Sequence, residues 1–244
     1  MSEWAHLPLR EVTRRVEALP EVRPVRILPL LLPMWAAEVV ATVRESQPYD
    51  VFDRYLARAI DEGGMVDPAE LAGFFGVEPA IVSRALRFLA GIGHLGRDDG
   101  KLSLTELGRQ SLADGRRYQL AKGRRMLLRF DGFAGEPVPY SCVAASSWLR
   151  VPELTLPDGT LFRPVPGSAS LPAGTVEKLL GRDDLADFTG PVVPVAAEQT
   201  GTRPLWLPVY LVECEDEPLA FGKSVDGPDP YLGDLFMVHH PITG

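Results

Sequence analysis

With 244 residues, 45% of them hydrophobic and 24% charged, the chain can build one large domain or two small ones, and its composition is that of an ordinary globular protein. A formal net charge of −8 excludes the chain as a whole as an electrostatic partner of nucleic acid. Two cysteines, Cys142 and Cys214, with no CxxC spacing exclude a disulfide framework and a ribbon-type zinc site.

The opening MSEWAHLPLREVTRRVE is charged and lacks an apolar core with a cleavage site. The most apolar run, Ile27 to Ala37, is too short for a bilayer and carries Pro29 and Pro33. A cytoplasmic location without membrane contact is therefore expected. Glu11 to Leu19 reads as a short helix closed by Pro20. A second helix is predicted from Pro33 to Arg44, with proline in its first turn and Trp35, Val39, Val40 and Val43 on a common side, ended by Pro48. Residues 1–48 are expected to be a helical segment that adds a layer to the core, a dimerisation arm being the alternative.

Tyr49 to Glu62 reads as the next helix, with Phe52, Tyr55, Leu56, Ala59 and Ile60 on one face and Gly63-Gly64 as its stop. Asp67 is an N-cap for a helix from Pro68 to Phe75, which Gly76 ends. Val77-Glu78-Pro79 makes a turn into a third helix, Ala80 to Ile92, closed by Gly93. Two short strands, His94 to Arg97 and Lys101 to Leu104, flank Asp98-Asp99-Gly100, a strong hairpin signal. Thr105 can cap a last helix running through Leu112.

Residues 116–140 form a basic connector that can be helix or strand. From 141 to 244 prolines and glycines are frequent. A hairpin is predicted around Asp158-Gly159, a short helix in TVEKLLGRDDLADF, and two antiparallel strands joined at Glu215 to Pro218. The expected class is α+β: a winged helix-turn-helix over 49–115 with N-terminal helices and a C-terminal mainly β domain.

The order of three helices, hairpin and closing helix, and above all LTELG directly after the hairpin, resembles the winged-helix domains of MarR- and ArsR-type regulators. The likeness covers residues 49 to 115. The stretch DPAELAGFFGVEPAIVSRALRFLAGIGHLGRDDGKLSLTELG is also similar to the N-terminal winged helix of bacterial small-molecule O-methyltransferases, a module that dimerises instead of binding DNA. That family requires a glycine-rich SAM domain downstream. No GxGxG follows here, so methyl transfer is rejected.

In a helix-turn-helix the second helix enters the major groove. Here Ile81, Val82, Ala85, Leu86, Phe88, Leu89 and Ile92 make a broad apolar face, leaving Ser83, Arg84 and Arg87 outward. The two arginines can reach guanine edges or phosphates, or form a solvated face; this helix carries no Asn or Gln to read adenine. Arg97 and Lys101 flank the hairpin tip, where Asp98-Asp99 would repel phosphate. Between Ile81 and Phe130 stand eleven Lys/Arg against four Asp/Glu, while from Arg150 onward there are six basic and fourteen acidic residues. Arg116, Arg117, Lys122, Arg124, Arg125 and Arg129 can therefore bind a DNA backbone or pair with the acidic C-terminal part. Ser83, Arg84, Arg87, Arg97, Lys101, Arg116, Arg117, Arg124 and Arg125 are the expected DNA contacts.

No catalytic constellation is legible: there is no P-loop, GxSxG or HExxH. His94 is expected to be structural. His239-His240 with a cysteine, Glu213 to Glu217, and Asp183-Asp184 have the residue types of metal sites but the positions of surface turns, and Cys142 beside Ser141 has no positioned base. No cofactor or metal is expected. The sequence thus predicts a bacterial double-stranded-DNA-binding protein, either a transcription regulator or the recognition subunit of a larger machine such as a defence complex, with a protein partner or self-association through the C-terminal part. The alternative is a non-catalytic scaffold that uses the winged helix for assembly; a metal-dependent nuclease is the third reading.

Overall fold

The computed structural model describes residues 8–19, 22–98, 101–215, 217–222 and 227–239. In chain order the elements are α1 (Leu9–Glu17), β1 (Pro24–Pro48), α2 (Val51–Asp61), α3 (Pro68–Phe75), α4 (Pro79–Gly91), β2 (Leu95–Asp98), β3 (Lys101–Leu104), α5 (Glu106–Ala113) and β4 (Arg116–Asp131). There follow α6 (Tyr140–Ala145), β5 (Leu154–Thr155), β6 (Leu161–Pro164), α7 (Thr175–Leu180), α8 (Leu185–Thr189), β7 (Val193–Cys214), β8 (Leu219–Phe221) and α9 (Pro230–His239). The class is mixed α/β. The main sheet has the order β5-β6-β1-β7-β8, with β4 also paired to β1. It is a mixed sheet: β6 runs parallel to β1, with Leu30 opposite Arg163, and β8 antiparallel to β7, with Tyr210 opposite Phe221.

The chain divides into two units built from interleaved segments: Met1–Val40, Arg125–Pro191 and Ala197–Gly244 in the larger, Ala41–Arg124 and Val192–Ala196 in the smaller. In the larger unit, alternate residues of β1 and β7 enter two different cores. Leu32, Met34 and Ala36 join Leu205, Leu207, Val209 and Leu211 under α6 and α9. Leu31 joins Tyr210, Val212 and Phe221 under Val12 and Val16 of α1 and Phe162 of β6. A strand covered on both faces needs apolar residues at nearly every position.

This burial corrects the helix expected over Pro33 to Arg44. The segment lies inside β1, and its apolar residues only mimic a helical stripe. Met34, Ala36, Ala37, Val39, Ala41 and Val43 are all buried, and a pleated strand places neighbours of this kind on opposite faces. The expected N-terminal helical segment 1–48 therefore keeps only α1 as helix among the described residues. The basic connector is largely strand β4. The part expected to be mainly β carries four helices, α6 to α9, and its β6 and β7 pair with β1 from the N-terminal segment.

The smaller unit follows the local signals closely. Asp50 caps α2, accepting from the Phe52 amide at 2.9 Å, and Asp67 caps α3, accepting from Ala69 at 2.7 Å. Gly76, at φ 63°, takes the left-handed conformation that ends α3 and turns the chain toward α4. Strands β2 and β3 form an antiparallel hairpin with Leu95 opposite Leu104 and Arg97 opposite Leu102; Asp99 and Gly100 lie outside the described residues. Thr105 caps α5, accepting from Gly108 at 3.1 Å while its hydroxyl donates to the Gly93 carbonyl at 2.6 Å. A Cβ on Gly108 would stand 2.3 Å from the His94 carbonyl oxygen, so only glycine lets α5 approach the hairpin this closely. Leu56, Ile60, Leu71, Val82, Leu89, Leu95 and Leu104 close one core.

Candidate nucleic-acid interface

Helix α4 buries a narrower face than its composition suggests. Val82, Ala85 and Leu89 are buried, at the spacing of a single helical stripe. Ile81 and Phe88, expected inside, are 48% and 39% exposed. Three positions per two turns seat this helix on α3 and the hairpin, with Leu86 and Ile92 half-buried at the edge of the same core, and Ile81 and Phe88 are left facing outward. Ser83 is half-buried, and Arg84 and Arg87 are exposed.

The two arginines line different grooves. Arg84 lines one of about 410 Å³ with Asp50, Asp53, Phe88 and Arg117. Arg87 lines one of about 610 Å³ with Arg97, Asp67, Leu86 and Leu102, between the start of α3, α4 and the hairpin. In the first groove burial, reinforced by the Asp50 charge and opposed by Arg117, raises the Asp53 carboxyl above the usual range. The hairpin holds Arg97 and Lys101 exposed, Lys101 opposite Asp98. Arg84, Arg87 and Lys101 form no ion pair with another described residue.

The arginines of β4 are placed differently. Arg116 donates to Ser46 Oγ at 2.6 Å, Arg117 donates to Gln47 Oε1, and Arg124 pairs with Glu45 at 2.9 Å. Arg117 also lies over the Phe88 ring, 5.1 Å from its centroid. Each of these partners but Phe88 stands on β1, the strand that β4 pairs with. The acidic C-terminal residues have their own cations: Arg26 binds Glu213 through a short contact of 2.5 Å, Arg23 binds Glu215 at 3.2 Å, and Arg182 binds Asp184 at 2.7 Å. Arg125 and Lys122 are exposed.

Arg44 escaped the reading of the sequence. It lies over the Tyr118 ring, 4.8 Å from the centroid, and donates to Gln110 at 3.1 Å. His94 is fully buried: its Nδ1 meets Tyr49 Oη at 3.2 Å, and its Nε2 meets the Tyr118 carbonyl at 2.6 Å and Ser111 Oγ at 3.2 Å. Since a carbonyl only accepts, Nε2 carries the proton and Nδ1 accepts from the tyrosine. Burial depresses the imidazole pKa, the Tyr118 carbonyl opposes this, and Arg117 adds to it.

Among the described residues no three His, Cys, Asp or Glu side chains come together as a metal site. His6, His240 and Asp216 lie outside the described residues. Cys142 is buried, and burial pushes its thiol up to about 12, the opposite of an activated nucleophile. No described helix is long and apolar enough to cross a membrane. Comparison with protein-family models, curated proteins and solved structures gives no match.

Proposed function

We propose that residues 49–115 form a winged helix-turn-helix, similar to those of MarR- and ArsR-type regulators, that binds double-stranded DNA. In this reading α3 crosses the backbone, α4 carries Arg84 and Arg87 to the major groove, and Arg97 and Lys101 of the hairpin meet the flanking phosphates. The observation that carries it is the exposure of Arg84, Arg87 and Lys101 with no carboxylate bound to them among the described residues. Cations left unpaired around a helix-turn-helix are available for counterion exchange with phosphate. A transcription regulator and the recognition subunit of a larger complex both use this interface.

The test is fluorescence anisotropy of a labelled random-sequence duplex at several salt concentrations. Binding that weakens steeply with salt supports the reading; no binding at low salt overturns it. A protein scaffold is favoured by one specific observation, the exposure of Ile81 and Phe88 beside Arg84 on α4. Under that reading Arg84→Ala with Arg87→Ala weakens capture of a protein partner instead of a duplex.

A further inference from the structure

One face of the sheet in the larger unit changes character along its strands. Leu32, Met34 and Ala36 of β1 and Leu205 and Leu207 of β7 point into one apolar core. One step further in the same alternation stand Glu38 on β1 and Arg203 on β7, with Arg203 Nε 3.5 Å from Glu38 Oε1. Arg129 of β4 joins them. Its guanidinium lies over the Trp148 ring, 4.9 Å from the centroid, and its Nη1 donates to the Leu127 carbonyl at 3.4 Å. Burial and the nearby Arg203 charge push Arg129 below the ordinary arginine range, and no carboxylate among the described residues opposes them.

The Nε atoms of Arg129 and Arg203 are both buried, and neither has a hydrogen-bond acceptor among the described residues. Buried donors without acceptors are rare in folded proteins. Here two of them stand on neighbouring guanidinium groups, of which Arg203 alone is paired with a carboxylate, Glu38, among the described residues. The site stays open to solvent: the Arg203 and Glu38 side chains are 35% and 47% exposed. A cavity of about 490 Å³, lined by Glu38, Val40, Arg125, Leu127 and Thr200, opens beside it.

We propose that Arg129 and Arg203 hold a free phosphate-class oxyanion. A guanidinium presents a planar fork of donors that matches phosphate oxygens. A tetrahedral anion has oxygens facing several directions and so accepts from two Nε groups carried on different strands, where the two coplanar oxygens of a carboxylate serve one fork. Glu38 is the resident competitor: it neutralises Arg203 when the ligand is away and gives it up when the ligand arrives. All these residues lie outside the segment 49–115, so this site and the duplex-binding reading stand or fall separately.

The experiment is thermal unfolding of the full chain in inorganic phosphate, chloride and acetate at matched pH and ionic strength. Phosphate is expected to raise the midpoint by ~3 °C or more beyond the other two salts. Arg129→Gln and Arg203→Gln should each remove that excess, while general salting effects persist in the variants. Glu38→Gln should make half-saturation occur at lower phosphate, which keeps the proposal testable where an arginine variant does not fold. Equal midpoints in the three salts overturn it, as does a phosphate response unchanged in both arginine variants or in Glu38→Gln. A phosphate response abolished by duplex DNA would assign the site to a nucleic-acid backbone and overturn a free ligand.

Discussion

Helix α4 and strand β4 both bring arginines to the smaller unit, and they leave those arginines in opposite conditions. On β4, Arg116, Arg117 and Arg124 each find an acceptor on β1, at Ser46, Gln47 and Glu45. On α4, Arg84 and Arg87 point away from the core and meet no carboxylate among the described residues. A paired strand always has a neighbour at fixed register, so an outward cation on it readily acquires a partner. The outer face of a packed helix has no such neighbour. The longer basic run is therefore the less available one, and charge counted along the sequence overstates what is free to meet a phosphate.

The largest test of this contrast is the double variant Arg84→Ala with Arg87→Ala. At ~1–3 kcal/mol per base-reading arginine, duplex binding should fall by at least about thirtyfold, read by anisotropy. The unfolding midpoint should stay where it is, because both side chains are exposed. Unchanged binding would break the contrast at its free end.

His94→Ala comes next, because His94 ties the start of β4 to the hairpin and α5 through the Tyr118 carbonyl and Ser111. It should cost about 2–3 kcal/mol in urea unfolding, since it opens a cavity and strands buried polar partners.

A smaller effect is expected with pH. The folded His94 pKa is depressed, so below the ordinary imidazole value of about 6.5 the unfolded chain binds more protons and stability falls as pH drops. The slope from this residue fades within about one pH unit above that value. In His94→Gln this part of the loss should vanish, and identical stability-pH curves for the two proteins would refute the assignment.

Smallest of all should be Arg124→Ala. Its pair with Glu45 has side chains 58% and 32% exposed, so less than about 1 kcal/mol of stability is at stake. Duplex affinity should move by less than in either single α4 variant, measured in the same anisotropy assay. A loss as large as that of the α4 double variant would show that Arg124 leaves Glu45 for the duplex.

What the sequence made legible here was whatever local chemistry decides. Asp67 and Thr105 as caps, Gly76 as a stop, and the hairpin from Leu95 to Leu104 could all be read from their neighbours. The Asp158-Gly159 hairpin and the β7–β8 pair were legible for the same reason. What distant segments decide was misread. Pro33 to Arg44 has apolar residues at helical spacing, yet burial at neighbouring positions such as Ala36 and Ala37, on opposite faces of the pleat, marks it as strand. Ile81 and Phe88 looked interior because the width of a buried stripe depends on what packs against it. The candidate arginines were visible as residues, but their partners were not. Glu45 lies 79 positions from Arg124 and Gln47 70 positions from Arg117, and only strand pairing brings them near.

The interleaving of the two units has a consequence for the order in which the chain can be completed as it is made. The smaller unit takes in Val192–Ala196, but residues 125–191, a segment of the larger unit, are synthesised first. At cellular rates of translation that interval is on the order of ten seconds, yet the core of the helices and hairpin draws only on residues between Phe52 and Leu112 and is complete in sequence before the interval begins. A fragment meant to carry the interface alone therefore runs from 41 to 124, which keeps that core and the Arg116, Arg117 and Arg124 contacts to β1 together.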